Sequence, residues 1–316
     1  MRHSASKNRT TVRSKNVVRL TRAALQTAYL VSDDLGTSFA ERLFTSPKRH
    51  ARPDRERAIL ASGRPFSVDV TLGAPRWAGQ HVEVAAWRWG NGPTVLLVHG
   101  WEGRGSQLGA LVAPLVAAGM SVVTFDAPAH GDSGGSRLYL TDHADALAAV
   151  AAHAGPLHAI VAHSFGAPAV LLAHARHGVR AERNVMIAPN AVIEDSVARF
   201  AQAVALDPTD RAHFEAHLAE STGVSIVELA LETLAGRRSD ALLVIHDRGD
   251  REVPFSHGER LATVWKDATL REVAGLGHRR ILRDDAVIAD VARFASFGAR
   301  PTVSDLVREV DRWLES

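Results

Sequence analysis

Short apolar runs punctuate the middle of this chain: Thr94–Val98, Ser121–Phe125, Leu157–Val161, Asn184–Ile187 and Ala241–Ile245, separated by stretches of helical length. Strands that are apolar throughout are covered on both faces, so the pattern predicts a parallel sheet with helices on each side. Ahead of these runs, Phe66 to Val70 and Val82 to Trp87 alternate with period two, as half-buried strands do. They predict an antiparallel start to a mixed sheet. A final strand is expected at Thr269–Val273. Near the beginning, Val18, Ala24, Ala28, Leu35, Phe39 and Leu43 recur at helical spacing across Val17 to Phe44. Lys48 to Arg64 is charged and contains proline, which reads as a linker plus a short helix. Neither an internal repeat nor a low-complexity segment is present.

Open parallel sheets bind ligands beyond the carboxyl ends of their strands. The residues following each apolar run therefore carry the candidate chemistry. His99-Gly100-Trp101-Glu102 follows the first, and Asp126 through Ser133, with His130 and Asp132, follows the second. Ala162-His163-Ser164-Phe165-Gly166 follows the third and opens a helical stretch. A serine whose second neighbours are tiny, at a strand-to-helix junction, has the form of a nucleophile elbow, because larger flanking side chains would collide with strand and helix. The competing reading is a helix N-cap serine. His246 through Pro254, with Asp247 and Asp250, follows the Ala241–Ile245 run, and Gly277-His278 follows the last strand. Serine, acid and histidine on loops after successive strands is the chain order of one hydrolase architecture. Asp126, His130 and Asp132 could be read as metal ligands, but they read better as residues shaping a turn. His99 and His163 read as scaffolding beside the neighbouring loops.

Composition changes this picture in two places. The 316 residues include no cysteine, which excludes disulfides, thiolate metal sites and a cysteine nucleophile. The net charge of +2 is unevenly spread: Arg2, Lys7, Arg9, Arg13, Lys15, Arg19 and Arg22 precede the first acid, Asp33. Such a start could touch nucleic acid or an anionic membrane, or be part of a targeting peptide, but it reads better as a solvated tail over residues 1–16. No run approaches the ~20 apolar residues of a membrane span. A cytoplasmic protein with no specific nucleic-acid partner is expected.

Taken with its surroundings, the chain resembles the α/β-hydrolase superfamily over residues 66–316. The matches are His99-Gly100-Trp101, the Asp126-to-Ser133 stretch, the serine elbow, Asp250 with Val253-Pro254, and Gly277-His278. Ala162 and Ala129 stand where the family usually has glycine; both are small enough for the turns concerned. The resemblance implies an α/β fold with a mostly parallel eight-stranded sheet, its second strand antiparallel, helices on both faces and a small helical cap. The cap fits residues 191–238, the core 66–190 and 239–316, and residues 17–65 form an N-terminal helical extension.

The implied chemistry is a catalytic triad. Ser164 needs a base, and His278 can take its proton and later give it to the leaving group. Asp250 would hold the imidazole, with Asp247, Glu194 and Asp195 as competitors. An oxyanion hole would use the backbone N–H groups of Trp101 and Phe165, whose side chains are candidates for substrate binding. Serine at the elbow excludes the aspartate nucleophile of dehalogenases and epoxide hydrolases in this superfamily. The expectation is a serine esterase for small to medium acyl esters, with no cofactor and no metal. A thioesterase, carbon–carbon hydrolase, lyase or cofactor-free peroxidase on the same residues, or a non-enzymatic binding protein, are the alternatives. Val192, Ile193, Val197, Phe200, Val204, Leu206, Phe214 and Leu218 of the cap could line an acyl pocket or dock the cap. The extension or the cap could support an oligomer.

Overall fold

The computed structural model describes residues 18–299 apart from 237 and 239, so the expected basic tail over 1–16 and the core residues beyond 299 lie outside the described residues. Eight strands form one sheet in the order β1-β2-β4-β3-β5-β6-β7-β8. They are β1 (Arg64–Thr71), β2 (His81–Trp89), β3 (Thr94–Val98), β4 (Ser121–Phe125), β5 (Leu157–His163), β6 (Ala181–Ile187), β7 (Ala241–Asp247) and β8 (Ala268–Val273). β2 runs antiparallel to both β1 and β4, and every other pairing is parallel. All eight expected strands are present, and the antiparallel second strand falls where the resemblance implies.

The apolar runs follow from two covered faces. Successive strand residues point to opposite sides. Leu96 and Val98 of β3 join a core with α5 (Leu140–Ala154) and α6 (Gly166–His177), while Val95 and Leu97 face α4 (Val112–Ala117) and α12 (Asp285–Ser296). All seven residues of β5 are buried. Fully burying one such aliphatic side chain stabilises the fold by ~1.5–3 kcal/mol. The edges differ: β1 and β8 each bury only alternate or partial positions, as expected where one flank is open.

The N-terminal stretch that reads as one helix is two. Residues 18–31 form α1 and Asp33–Thr45 form α2. The break is local chemistry: the Ser32 hydroxyl accepts the Leu35 N–H, and Asp33 and Asp34 sit in the first turn, where the helix dipole favours anions. The short helix expected after the linker is α3 (Asp54–Ala61).

Between β6 and β7 lie α7 (Ile193–Val204), α8 (Pro208–Thr222) and α9 (Leu231–Ala235). α1 and α2 pack on α7 and α8 through a separate apolar cluster that includes Leu25, Tyr29, Val197 and Phe214. The Phe44 ring lies 4.9 Å from Phe200 and 5.6 Å from Phe214. A fully buried glutamate, Glu41 of α2, ties three parts of the chain together. It accepts hydrogen bonds from Tyr139 ahead of α5, from the Ser221 hydroxyl of α8 at 2.8 Å and from Arg137 at 3.3 Å. Burial opposes its charge, but the Tyr139 and Ser221 bonds with His217 and Arg76 outweigh it and hold the carboxyl below its ordinary pKa. Helices α1 and α2 and the β6–β7 helices thus pack together as one roof, whose α2, α7 and α8 residues line a cavity with Trp101, Phe165 and Asn190, which follow β3, β5 and β6. α10 (Ser256–Val264) follows β7, and α11 (Gly277–Arg280) follows β8.

Candidate active site

β5 ends at His163, and α6 begins at Gly166, leaving a two-residue turn. Ser164 occupies its apex with φ 54°, a left-handed conformation that costs a non-glycine residue energy and is held only where its surroundings demand it. Here they do. The Ser164 N–H donates to Ile187 O at 3.0 Å, and its carbonyl accepts from Ala167 and Asn190. The loop after β3 packs directly on this turn: a Cβ on Gly100 would lie 2.8 Å from Ser164 Cβ, and one on Gly166 2.7 Å from Val98 O. Both positions therefore require glycine. Ala162, in the position where glycine was expected, is fully buried within β5 and fits.

His278 is the second residue of α11 and turns its ring toward the serine. Its Nε2 lies 2.9 Å from Ser164 Oγ, and its Nδ1 lies 2.7 Å from Asp250 Oδ2. A carboxylate only accepts, so Nδ1 carries the proton and Nε2 is free to accept from the hydroxyl. Asp250 is fully buried at the side chain. Burial alone would raise its pKa, but bonds from His246, His278 and the Val253 N–H outweigh that and keep it well below the usual carboxylate range. Two of its competitors, Asp247 and Asp195, are engaged elsewhere. Asp247 accepts the N–H groups of Gly249 at 2.6 Å, Leu276 and Gly277, organising the two loops that carry Asp250 and His278. Asp195 pairs with His257 at 3.0 Å. Glu194 Oε2 is buried with no hydrogen-bond partner among the described residues.

Backbone donors flank the serine. Among the described residues, neither the Trp101 nor the Phe165 N–H donates to another group. Their rings meet edge to face at 5.8 Å. The loop holding Trp101 is braced by neutral histidines: Ala127 N–H donates to His99 Nε2 at 2.8 Å, and Glu102 N–H donates to His130 Nε2 at 3.0 Å. Each ring's Nδ1 lies on a carbonyl, Gly100 O and Pro128 O, so each must be the Nδ1–H tautomer. Burial lowers the pKa of His99 to about 4 and of His130 to about 3. His163, likewise lowered to about 3 by burial and by His278, sets its Nε2 3.0 Å from the His278 carbonyl. Asp126 accepts from Gly105 N–H at 2.8 Å, from Asp132 N–H at 2.8 Å and from Arg52, which is the turn-shaping role read from the sequence.

Other site residues carry no local signal in the sequence. His246, at the end of β7, places Nε2 3.4 Å from Asp250 Oδ2 and 3.3 Å from Val253 O, giving the acid a second histidine. Glu56 of α3 grips Arg104 through two contacts of 2.5 and 3.0 Å and accepts from Ser106 at 2.8 Å. Lys48 N–H reaches Glu102 at 3.2 Å, and Arg49 donates to the carbonyls of Gly131, Ser133 and Gly135. Lys48, Arg49 and Glu56 thus tie the segment ahead of β1 to the loops that follow β3 and β4.

Two cavities meet here. One, of about 510 Å³, is lined by Ser164 and His278 and is rich in arginine. The other, of about 660 Å³, is mostly apolar and lies beneath the roof, lined by Phe39, Phe44, Phe165, Ile193, Val197 and Phe200 among others. Trp101, Glu102 and Asn190 belong to both. Of the apolar residues read in the 191–238 segment, Ile193, Val197, Phe200 and Leu218 line the second cavity, whereas Phe214 is buried in the docking cluster.

Residues 95–291 match the pattern of the alpha/beta hydrolase family. Among solved structures, a thermophilic esterase from Thermogutta terrifontis is similar at 17% identity and a TM-score of 0.52, covering 79% of this chain and 100% of that one. The Pyrococcus furiosus esterase Pf2001 is similar at 18% identity and a TM-score of 0.55, over 79% of this chain and 95% of its own. A monoacylglycerol lipase from Paleococcus ferrophilus shares 19% identity and a TM-score of 0.54, over 67% and 98% respectively. No curated protein matches the chain in sequence.

Proposed function

As the chain belongs to the alpha/beta hydrolase family, we propose that it is a serine hydrolase of carboxylic esters working through an acyl-enzyme intermediate. The observation that carries this reading is the unbroken line Asp250–His278–Ser164, with contacts of 2.7 and 2.9 Å. Ser164 Oγ attacks the ester carbonyl carbon while His278 Nε2 takes its proton. The carbonyl oxygen becomes an oxyanion facing the free N–H groups of Trp101 and Phe165, each such donor being worth about 2.7–4 kcal/mol in the transition state. Collapse breaks the bond to the alcohol, which leaves with the proton from His278. Water repeats the sequence on the acyl-enzyme and regenerates the serine. Asp250 keeps the imidazole in the Nδ1–H tautomer and stabilises its cation, and His246 positions Asp250.

The apolar cavity beneath the roof supports acyl groups of medium size, with Trp101 and Phe165 at its neck. On this reading residues 191–238 are the cap and residues 17–65 are part of the same lid, because the Phe44, Phe200 and Phe214 cluster joins them. No described helix is long and apolar enough to cross a membrane. The test is a fluorophosphonate probe with a panel of p-nitrophenyl esters of increasing acyl length. Wild type should label at Ser164 and turn over medium-chain esters best. Ser164→Ala should fail to label and lose up to about a million-fold in kcat. An unlabelled wild-type serine, or a variant that retains most activity, would refute the mechanism.

A further inference from the structure

The cavity around Ser164 is unlike the apolar one in its charges. Five arginines and three glutamates line it. Two of the arginines are neutralised: Arg104 by Glu56, and Arg279 by Glu252 through contacts of 3.0 Å. Glu102, at the neck, is engaged with the Lys48 N–H and with His50 at 3.4 Å. The other three have no carboxylate partner among the described residues: Arg55 on α3, Arg199 on α7 and Arg283 just after α11. Arg199 is the most informative. Its guanidinium is held by neutral acceptors, Asn190 Oδ1 and the Glu252 carbonyl, each at 3.3 Å. Asn190 in turn is fixed by Ser196 and by its own N–H on Ser164 O. The cation is oriented without being neutralised, a few bonds from the serine turn. A guanidinium held this way keeps its charge available for an anionic ligand.

We propose that the arginine-lined cavity binds a phosphate group on the leaving portion of the substrate, while the acyl chain occupies the apolar cavity across the neck at Trp101. This inference rests on the ester-hydrolase reading and narrows it to acyl esters or thioesters of phosphate-bearing alcohols or thiols. Three uncompensated guanidiniums favour a phosphate monoester, with its charge of about −1.5 to −2 at neutral pH, over a single carboxylate. The arginines come from three separate segments, the extension, the helix after β6 and the histidine loop, so the site exists only with the roof in place.

Binding to the intact wild-type protein tests this without requiring turnover. Titration calorimetry with n-octyl phosphate, nonanoate and n-octanol compares one chain length with three head groups. The phosphate should bind at least about tenfold tighter than the alcohol, and the preference should shrink as salt is raised. Arg55→Gln with Arg283→Gln, both at exposed positions, and separately Arg199→Gln, should each remove most of that preference, whereas Arg57→Gln, outside the cavity, should leave it in place. Equal binding of phosphate and alcohol, or a preference untouched by the cavity variants, overturns the proposal. Nonanoate binding as tightly as octyl phosphate overturns the phosphate assignment. Failure of ester hydrolysis with the binding preference intact would instead refute the hydrolase reading and leave the anion site standing.

Discussion

Removing Glu56 should damage a loop far from it in sequence. Glu56 and Arg104 are each 5% exposed, and their contacts of 2.5 and 3.0 Å leave little room for water to screen the pair. Glu56→Ala strands a buried guanidinium and also deprives the Ser106 hydroxyl of its acceptor. Breaking a buried pair in this way costs about 3–5 kcal/mol, because the remaining charge stays desolvated. That is a large share of a typical folding stability of roughly 5–15 kcal/mol. Urea unfolding should show a lower midpoint at unchanged slope. Arg104 lies three residues beyond Trp101, so the variant should also lose kcat, with KM little altered, by up to the ~100-fold that one missing oxyanion donor costs. Replacing both partners with apolar residues, Glu56→Leu with Arg104→Met, should recover most of the stability. A loss under about 1 kcal/mol for Glu56→Ala would place the pair in the range of exposed ion pairs and refute the claim that the extension braces this loop.

Asp250→Asn should lower kcat by about ten-thousandfold while leaving the fold intact, since the imidazole loses its tautomer partner. Asp247→Asn should chiefly lower stability, because Asp247 holds three backbone N–H groups; thermal melts set beside rate constants separate the two, and an Asp247-specific collapse of turnover would reverse the assignment. Gly100→Ala should abolish ester turnover, its Cβ lying 2.8 Å from Ser164 Cβ, and a variant that keeps wild-type rates would contradict the packing of the two loops. Acid should unfold the protein early. His99, His130 and His163 have folded pKa values of about 4, 3 and 3, below the ordinary 6.5, so they are neutral in the fold and protonate first in the unfolded chain. Stability should therefore hold above pH ~6.5 and fall by up to about 1.4 kcal/mol per pH unit for each histidine toward pH 4, read from urea midpoints across pH. The depressed carboxyl of Asp250 adds to the loss below pH ~4.

Much of the candidate site could be read from the chain because the relevant signals are local. A strand covered on both faces needs unbroken apolar side chains, so Leu157–Val161 declares itself as a central strand, and the tiny neighbours of Ser164 record how little room the turn leaves. The order of serine, acid and histidine loops follows once the strands are placed. What local pattern could not carry is partnership across long separations. Val17 to Phe44 has helical spacing throughout, and only Ser32 capping Leu35 divides it. Nothing near Glu41 or Glu56 announces that the one meets Ser221 and the other Arg104. Phe200 and Phe214 have the same helical character, yet one lines a cavity and the other is sealed in a docking cluster. Asp247 and Asp250 lie three residues apart, and the choice between them rests on which carboxylate reaches a ring 28 residues further on. Periodicity reports how a residue faces its own element, and the strands, the turn and the loop order depend on that alone. Which charges end paired, and which cavity stays cationic, depends on how separate elements close over one another, and the folded chain alone contains those distances.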